Sequence, residues 1–184
     1  DIDCNALLAG DIIRALRHMV QEDSPYAQPF ALDELLQQTH AMMEPLARLD
    51  DTKLNTQTDC GLVVTGHRSQ LAQVLVNTIR NAFEAINKVT DTAGVVSVRA
   101  NDQDGQVIIT VEDNGPGFPS ALKPFTQFET TKPGGLGLGL SICKSLLQAT
   151  GGSIHQENVA PHGARFVISV IGEDFQNDDI RRHK

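Results

Sequence analysis

Residues Gly134 to Ile142 read Gly-Gly-Leu-Gly-Leu-Gly-Leu-Ser-Ile, and Val111 to Phe118 read Val-Glu-Asp-Asn-Gly-Pro-Gly-Phe. Glycine reaches backbone angles closed to other residues and lets main chain come close to a ligand. Two such blocks restrict the chain to folds that gather loops around a bound group. The second block runs into an apolar helical pattern from about Gly137 to Ala149, so its amides would sit at the positive end of a helix dipole. Two better-known glycine motifs fail here. No Lys-Ser/Thr follows, as a P-loop requires, and Leu140 stands where a dinucleotide fold would need its third glycine. The residues point to a nucleotide pocket on a different frame, with a flexible loop ahead of a helix as the plainer alternative.

The frame follows from periodicity. Ala6 to Gln21 carries Leu8, Ile12, Ile13, Leu16, Met19 and Val20 at helical spacing and ends in the polar break Glu22-Asp23-Ser24-Pro25. A second helical stretch runs from Leu32 to Leu49, where Pro45 should end or kink it. Gly61 to Thr65 is short and β-branched, a strand. From His67 to Val89 the residues Leu71, Val74, Leu75, Ile79, Ala82, Phe83 and Ile86 mark a long amphipathic helix. Val95 to Ala100 and Val107 to Val111 read as two strands around a turn at Asn101 to Gly105. Phe118 to Pro133 has little periodicity; the helix that follows is closed by Gly151-Gly152, and strands near Ser153 to Glu157 and Ala164 to Ile171 complete the pattern. Together these give an α+β fold, a helical layer on a mixed, mostly antiparallel sheet.

Composition narrows the partners. The 184 residues suit one domain with terminal extensions, and no segment approaches the roughly 18 uninterrupted apolar residues of a membrane span. Cys4, Cys60 and Cys143 have no CxxC spacing, which argues for reduced thiols rather than a disulfide framework or zinc site. A net charge of −8 disfavours a nucleic-acid surface, which needs clustered Lys and Arg.

Two sets of polar residues carry candidate chemistry. Gln73, Asn77, Asn81 and Glu84 are spaced by four, four and three residues and share one helical stripe. Such a stripe either faces solvent or presents neutral oxygens to a hard cation, with Asn81 the candidate Mg²⁺ ligand. Asp113 closes a strand just before Asn114-Gly115-Pro116-Gly117; its carboxylate either caps that turn or accepts a hydrogen bond from an exocyclic amine such as that of adenine.

In order, Gln73-Val-Leu-Val-Asn77-Thr-Ile-Arg-Asn81-Ala-Phe-Glu84-Ala, Asp113-Asn-Gly115-Pro-Gly117-Phe, Phe125-Thr-Gln-Phe128-Glu-Thr130-Thr131-Lys132 and Gly135-Leu-Gly137-Leu-Gly139-Leu-Ser-Ile resemble four motifs of one family. It is the catalytic ATP-binding domain of sensor histidine kinases, within the superfamily that includes gyrase, heat-shock chaperone and mismatch-repair ATPases. The resemblance spans about Phe30 to Ile171. It implies a two-layer α/β sandwich with about three helices on one face of the sheet and a mobile ATP lid from about Pro116 to Leu136. It further implies that Asp113 meets adenine, that Asn81 holds Mg²⁺, and that Gly135 to Gly139 with Thr131 and Lys132 approach the phosphates. Asn81 and Lys132 would be the catalytic pair. Asn77, Glu84, Gly115, Gly117, Phe118, Thr130, Leu136, Leu138 and Leu140 complete the implied ATP-contacting set.

Related ATPases resemble one another in placing a glutamate general base one helical turn before the metal-binding asparagine, a place held here by Asn77. An amide cannot take that proton, so the resemblance implies transfer of the γ-phosphoryl to a histidine on a partner helix. Residues 1–24 resemble the end of the second helix of a dimerisation hairpin plus linker, most like the oxygen-sensing nitrogen-fixation and dicarboxylate-sensing kinases. On this reading residues 25–172 are the catalytic domain and 173–184 a solvated tail. The phosphoacceptor histidine would lie upstream of Asp1, and the parent would be a bacterial homodimer that signals through a response regulator. A cytoplasmic domain is implied, and a membrane-tethered parent is compatible with it. His40-Ala-Met-Met-Glu-Pro45 keeps a phosphoacceptor's histidine-to-proline spacing but lacks the acidic residue directly after the histidine. Glu129 replaces a second phenylalanine of the family pattern, leaving lid anchoring to Phe125 and Phe128. An ATP-binding interaction module without transfer and a true ATPase are the alternatives.

Overall fold

A computed structural model describes residues 26–87, 93–119, 125–126 and 139–173. Its elements are β1 (Gln28–Ala31), α1 (Leu32–Leu49), β2 (Thr52–Thr58), β3 (Val63–Gly66), α2 (Arg68–Ile86), β4 (Gly94–Gln103), β5 (Gln106–Asp113), α3 (Gly139–Ala149), β6 (Ser153–Asn158) and β7 (Ala164–Ile171). Five strands form one sheet in the order β2-β4-β5-β7-β6, and β1 and β3 form a separate antiparallel pair. Only β2 and β4 run parallel within the large sheet; its other pairings are antiparallel. The mixed, mostly antiparallel sheet is therefore as the sequence implied.

Alternation along the strands decides which face is covered. On β5, Val107, Ile109, Val111 and Asp113 point inward, opposite Val96, Val98 and Ala100 of β4 and Ala164, Phe166, Ile168 and Val170 of β7. α1 lies over β2, α2 over β4 and β5, and α3 over β6. The central helix α2 buries every member of its apolar stripe, and also Val76 and Thr78, because α1 and α3 flank it while the sheet lies beneath. The Thr78 hydroxyl donates to the Val74 carbonyl, which satisfies it inside the core. On the outer face Arg165 bridges two strands, donating to Glu112 at 2.8 Å and to Glu157 at 2.8 Å.

Several expectations change. β1 and β2 were not anticipated, because Thr52–Thr58 carries one strong apolar residue, Leu54, on its inward face and so lacks the usual alternation signal. α1 continues through Pro45, which sits on the exposed face, where water can serve the carbonyl that the missing N–H leaves free. The β4–β5 pairing extends through Gln103 and Gln106, further than expected, leaving only Asp104-Gly105 as the turn, both at positive φ (54° and 81°). That is the Asp-Gly hairpin geometry whose twist matches the flanking strands. α3 ends as expected: Gly151 adopts φ 76° and the Gly152 N–H donates to the Leu147 carbonyl at 2.8 Å.

Phe83 is fully buried at the centre of this core. Phe83→Ala is therefore expected to lower unfolding stability by about 3–5 kcal/mol, read from the urea midpoint. Gly105→Ala, which meets no atom within 4 Å but must hold a left-handed turn, should cost only about 1–2 kcal/mol.

Candidate functional site

The end of β5 is where the chain places its least comfortable side chain. Strand alternation points Asp113 inward, and only 4% of the residue remains exposed. Its Oδ1 accepts the Gly115 N–H at 2.8 Å, so the carboxylate does cap the turn that follows. A carboxylate has about four acceptor positions, and this bond leaves it capacity for a further donor. Burial pushes the Asp113 carboxyl above its ordinary value of 3.8; the main-chain amides of Gly115 and Ala164 oppose this, and the charge of Glu112 adds to it.

The loop after Asp113 is held from three sides. Asn114 prolongs the β4–β5 pairing: its Oδ1 accepts the Val95 N–H at 2.8 Å and its Nδ2 donates to the Ala93 carbonyl at 2.9 Å. A Cβ on Gly115 would lie 2.8 Å from Asp113 Oδ1 and 3.5 Å from the backbone of Ala85 and Ile86, so the loop rests directly on the last turn of α2. Gly117 adopts φ 80°, and the Phe118 N–H donates to Asn158 Oδ1 at 2.7 Å while Asn158 Nδ2 returns a bond to the Phe118 carbonyl at 3.2 Å. The Phe118 ring meets Phe166 edge-on at 5.3 Å, which ties the loop to the core. Across the strand pair, Gly163 at φ 128° leaves no room for a Cβ against the Asp113 carbonyl.

The asparagine stripe of α2 does not simply face solvent. Asn77, Asn81 and Glu84 are half-buried, and Asn77 Nδ2 donates to Sγ of the fully buried Cys143, on α3, at 3.6 Å. Glu84 pairs with Arg80 at 3.6 Å along the same helix. Gly139 begins α3, and Leu140 packs against the core. Phe125, at φ 66°, also packs there. Thr130, Thr131, Lys132, Gly135, Leu136, Gly137 and Leu138, along with Phe128, lie outside the described residues. The structure thus brings the Asp113 loop to the end of the asparagine-bearing helix, and that helix against α3. Among the described residues no three His, Cys, Asp or Glu side chains converge as metal ligands. A hard cation beside α2 would depend on amide oxygens and on oxygens supplied by a ligand, a donor set that suits Mg²⁺ with phosphates.

Sequence reading missed Asn114, Asn158, Gly163 and the link between Asn77 and Cys143. The His162-Gly163 pair before β7 was a findable turn signal, whereas the asparagine bonds depend on tertiary approach. His40 lies on α1, where its Nδ1 is 2.9 Å from Thr56 Oγ1 and its Nε2 is 3.5 Å from Glu44. Nδ1 is thus engaged by a hydroxyl, and the carboxylate facing Nε2 comes from one helical turn on rather than from the residue directly after the histidine. Among the described residues no helix is long and apolar enough to cross a membrane.

A helical layer on a mixed sheet, with a buried strand-end carboxylate and a glycine loop resting on an asparagine-bearing helix, defines a class of nucleotide-binding domain. Residues 66–173 match the family described as histidine kinase-, DNA gyrase B-, and HSP90-like ATPase. The chain is 35% identical over 165 residues to the C4-dicarboxylate transport sensor protein DctB of Rhizobium meliloti, covering 88% of this chain and 26% of that protein. It is 35% identical over 172 residues to the sensor protein FixL of Bradyrhizobium diazoefficiens, covering 92% and 34%. The catalytic domain of the histidine kinase ThkA superposes with a TM-score of 0.70 at 33% identity, covering 79% of this chain and 95% of that domain. ThkA has also been solved in complex with the response regulator protein TrrA, a structure matched with a TM-score of 0.67 at 28% identity over 92% of this chain and 49% of that one. The chain belongs to the histidine kinase-, DNA gyrase B- and HSP90-like ATPase family, on its histidine kinase branch. It spans about a quarter to a third of the length of the curated relatives named.

The buried carboxylate has a measurable signature. A carboxyl whose folded value is raised contributes stability that is complete below its unfolded value and lost as pH rises through the folded one, so ionised Asp113 weakens the nucleotide-free fold at neutral pH. Asp113→Asn keeps the acceptor for Gly115 and removes the charge. It should raise the melting temperature at pH 7, with the gain shrinking as pH is lowered toward 4. A loss of stability at pH 7 would contradict the assignment.

Proposed function

We propose that this domain binds Mg-ATP and donates the γ-phosphoryl to a histidine on a dimerisation hairpin, the first step of two-component signalling. The observation that carries the reading is the approach of the Asp113–Gly115 turn to the end of α2, on a chain whose α2 stripe holds Asn77 and Asn81 and no glutamate base.

In this reading Asp113 accepts the exocyclic amine of adenine. The main-chain bond from Gly115 holds the carboxylate in place before the base arrives, so little ordering is left to do on binding. Gly115 and Gly117 let the loop pack close enough to hold that carboxylate: a Cβ at Gly115 would press on Asp113 Oδ1 at 2.8 Å, and one at Gly117 on Asn158 Oδ1 at 3.0 Å and the Gly163 carbonyl at 3.1 Å. Phe118, fixed by Asn158 and Phe166, forms the rigid end from which the lid extends. Asn81 offers its amide oxygen on the phosphate side, and Glu84, paired with Arg80, shapes the mouth of the same stripe. Bound Mg²⁺ would neutralise charge on the phosphates as transfer proceeds. Thr130, Thr131, Lys132 and the segment from Gly135 to Leu140 would supply donors to those phosphates, and Lys132 would meet charge that builds in the transition state.

Asn77 cannot take a proton from water, and it is already a donor to Cys143. The γ-phosphoryl therefore waits for an external imidazole rather than being hydrolysed. The acceptor belongs to the parent's own hairpin, part of which residues 1–24, outside the described residues, resemble in sequence. The phosphohistidine then serves a response regulator, as the solved complex of ThkA with TrrA suggests by analogy. The parent is a homodimer, with this domain on the cytoplasmic side and a membrane tether compatible with its sensor relatives.

Following the γ-phosphate of labelled Mg-ATP tests the reading, with this chain alone and with a separately made hairpin carrying its histidine. Acid-labile label on the hairpin only is the expected result. Label on this chain would revive His40, steady release of free phosphate would indicate an ATPase, and bound but untransferred ATP would indicate an interaction module. Asn77→Glu should raise phosphate release relative to transfer, measured in the same assay. Asp113→Ala should weaken ATP binding by at least about tenfold, the scale for losing a hydrogen bond to a charged group.

A further inference from the structure

The turn from β6 to β7 carries no residue of the proposed ATP-contacting set, yet its two ends hold the base side of that site from opposite directions. Strand register sets this up: Ala164 stands opposite Asp113 of β5 on one side and opposite Asn158 of β6 on the other. The Ala164 main-chain amide faces the Asp113 carboxylate, while Asn158 closes on Phe118 at the far end of the glycine loop. The contacts form a closed circuit. From Asp113 it runs along the loop to Phe118, across to Asn158, and back through Ala164 to Asp113.

Asn158 spends both ends of its amide on the main chain of one residue. Oδ1 accepts the Phe118 N–H at 2.7 Å and Nδ2 donates to the Phe118 carbonyl at 3.2 Å, the two-bond exchange of opposed residues in an antiparallel ladder, made here by a side chain. A main-chain N–H only donates and a carbonyl only accepts, so this pairing admits one orientation of the amide. Gly117, at φ 80°, nests against Asn158 Oδ1 and the Gly163 carbonyl in the same contact. The edge-on packing of the Phe118 ring on Phe166 anchors the side chain; the Asn158 amide sets the direction of the main chain. Asn158 is itself exposed, so it buries nothing in the core, and what its two bonds fix is the course of the loop.

We propose that Asn158 is a positioning residue for nucleotide binding: by clamping the Phe118 main chain it holds the Gly115–Gly117 turn against the Asp113 carboxylate, so that the acceptor for the base is set before the nucleotide arrives. This rests on the reading of Asp113 as the adenine acceptor. It deepens that reading by giving the end of β6 a part in nucleotide affinity.

Calorimetric titration with Mg-ATP tests the assignment on wild type, Asn158→Ala, Asn158→Ser, Asp113→Ala and the variant carrying both alanines, with thermal melts and hydrogen exchange at the Phe118 amide measured alongside. Asn158→Ala should weaken Mg-ATP binding about three- to tenfold, the scale of one net hydrogen bond. Exchange at the Phe118 amide should quicken at least about tenfold, as expected of a bond that local opening now lacks. Asn158→Ser, with one short hydroxyl where two groups are needed, should recover less than half of the lost affinity. In the Asp113→Ala background no carboxylate is left to position, so Asn158→Ala should change affinity there by less than about twofold, the usual scatter of such cycles. Unchanged Mg-ATP affinity or unchanged Phe118 exchange in Asn158→Ala, full affinity in Asn158→Ser, or a loss that adds in full to that of Asp113→Ala overturns the assignment while leaving the ATP site standing. Collapse of the cooperative melt in both Asn158 variants would overturn it too, by showing that Asn158 serves the fold alone. Wild type that binds no Mg-ATP overturns both this assignment and the proposed function.

Discussion

A carboxylate buried at the end of a strand is the constraint on which the rest of this structure depends. Asp113 points inward because β5 alternates; burial raises its carboxyl above the ordinary value, and main-chain amides from Gly115 and Ala164 oppose that shift. Each neighbour then loses its freedom. Gly115 must lack a side chain to reach both the carboxylate and the end of α2, and Gly163 must lack one to pass the Asp113 carbonyl. A fold governed by stability alone would place a hydrophobic residue there, since an ionised group in the core is a net cost unless something binds it. Costs of this kind concentrate at functional positions.

Around that point α2 works as the spine of the domain. Its apolar stripe anchors it to the central strands, so its polar stripe is held in register with the strand ends. The stripe is half-buried, the last turn carries the Asp113 loop, and Cys143 ties the middle to α3. A nucleotide bound here would touch elements far apart in sequence yet mechanically joined through one helix. That arrangement suits catalysis by positioning, in which donors fixed beforehand meet developing charge without reorganising.

Much of this was legible in the residues. The seven apolar positions of α2 that periodicity picked out are all buried, and the Gly151 helix end is where the glycine pair suggested. Asp113 was identified as a strand-end carboxylate, and of the two functions considered for it the cap on the following turn is the one the structure displays, through the Gly115 N–H. What escaped notice depended on tertiary contact. β2 pairs in parallel with β4 through a polar sequence, a register no local pattern announces. Asn114 and Asn158 look like ordinary loop residues until their side chains are seen completing backbone hydrogen bonds of distant segments. Pro45 misled for the opposite reason: its helix-breaking tendency is real, but on an exposed face the lost bond can be served by water.

One adenine nucleotide spanning the Asp113 turn and the asparagine stripe of α2 would leave a joint signature in solution. Amide spectra of ¹⁵N-labelled chain, recorded while Mg-ATP is added, test it most directly. The account predicts that the Gly115 main-chain amide and the Asn77 and Asn81 side-chain amides shift together along one saturable curve, while Arg165 on the outer face of the sheet stays still. Shifts confined to the outer face, or none at Gly115 at saturating nucleotide, would contradict it.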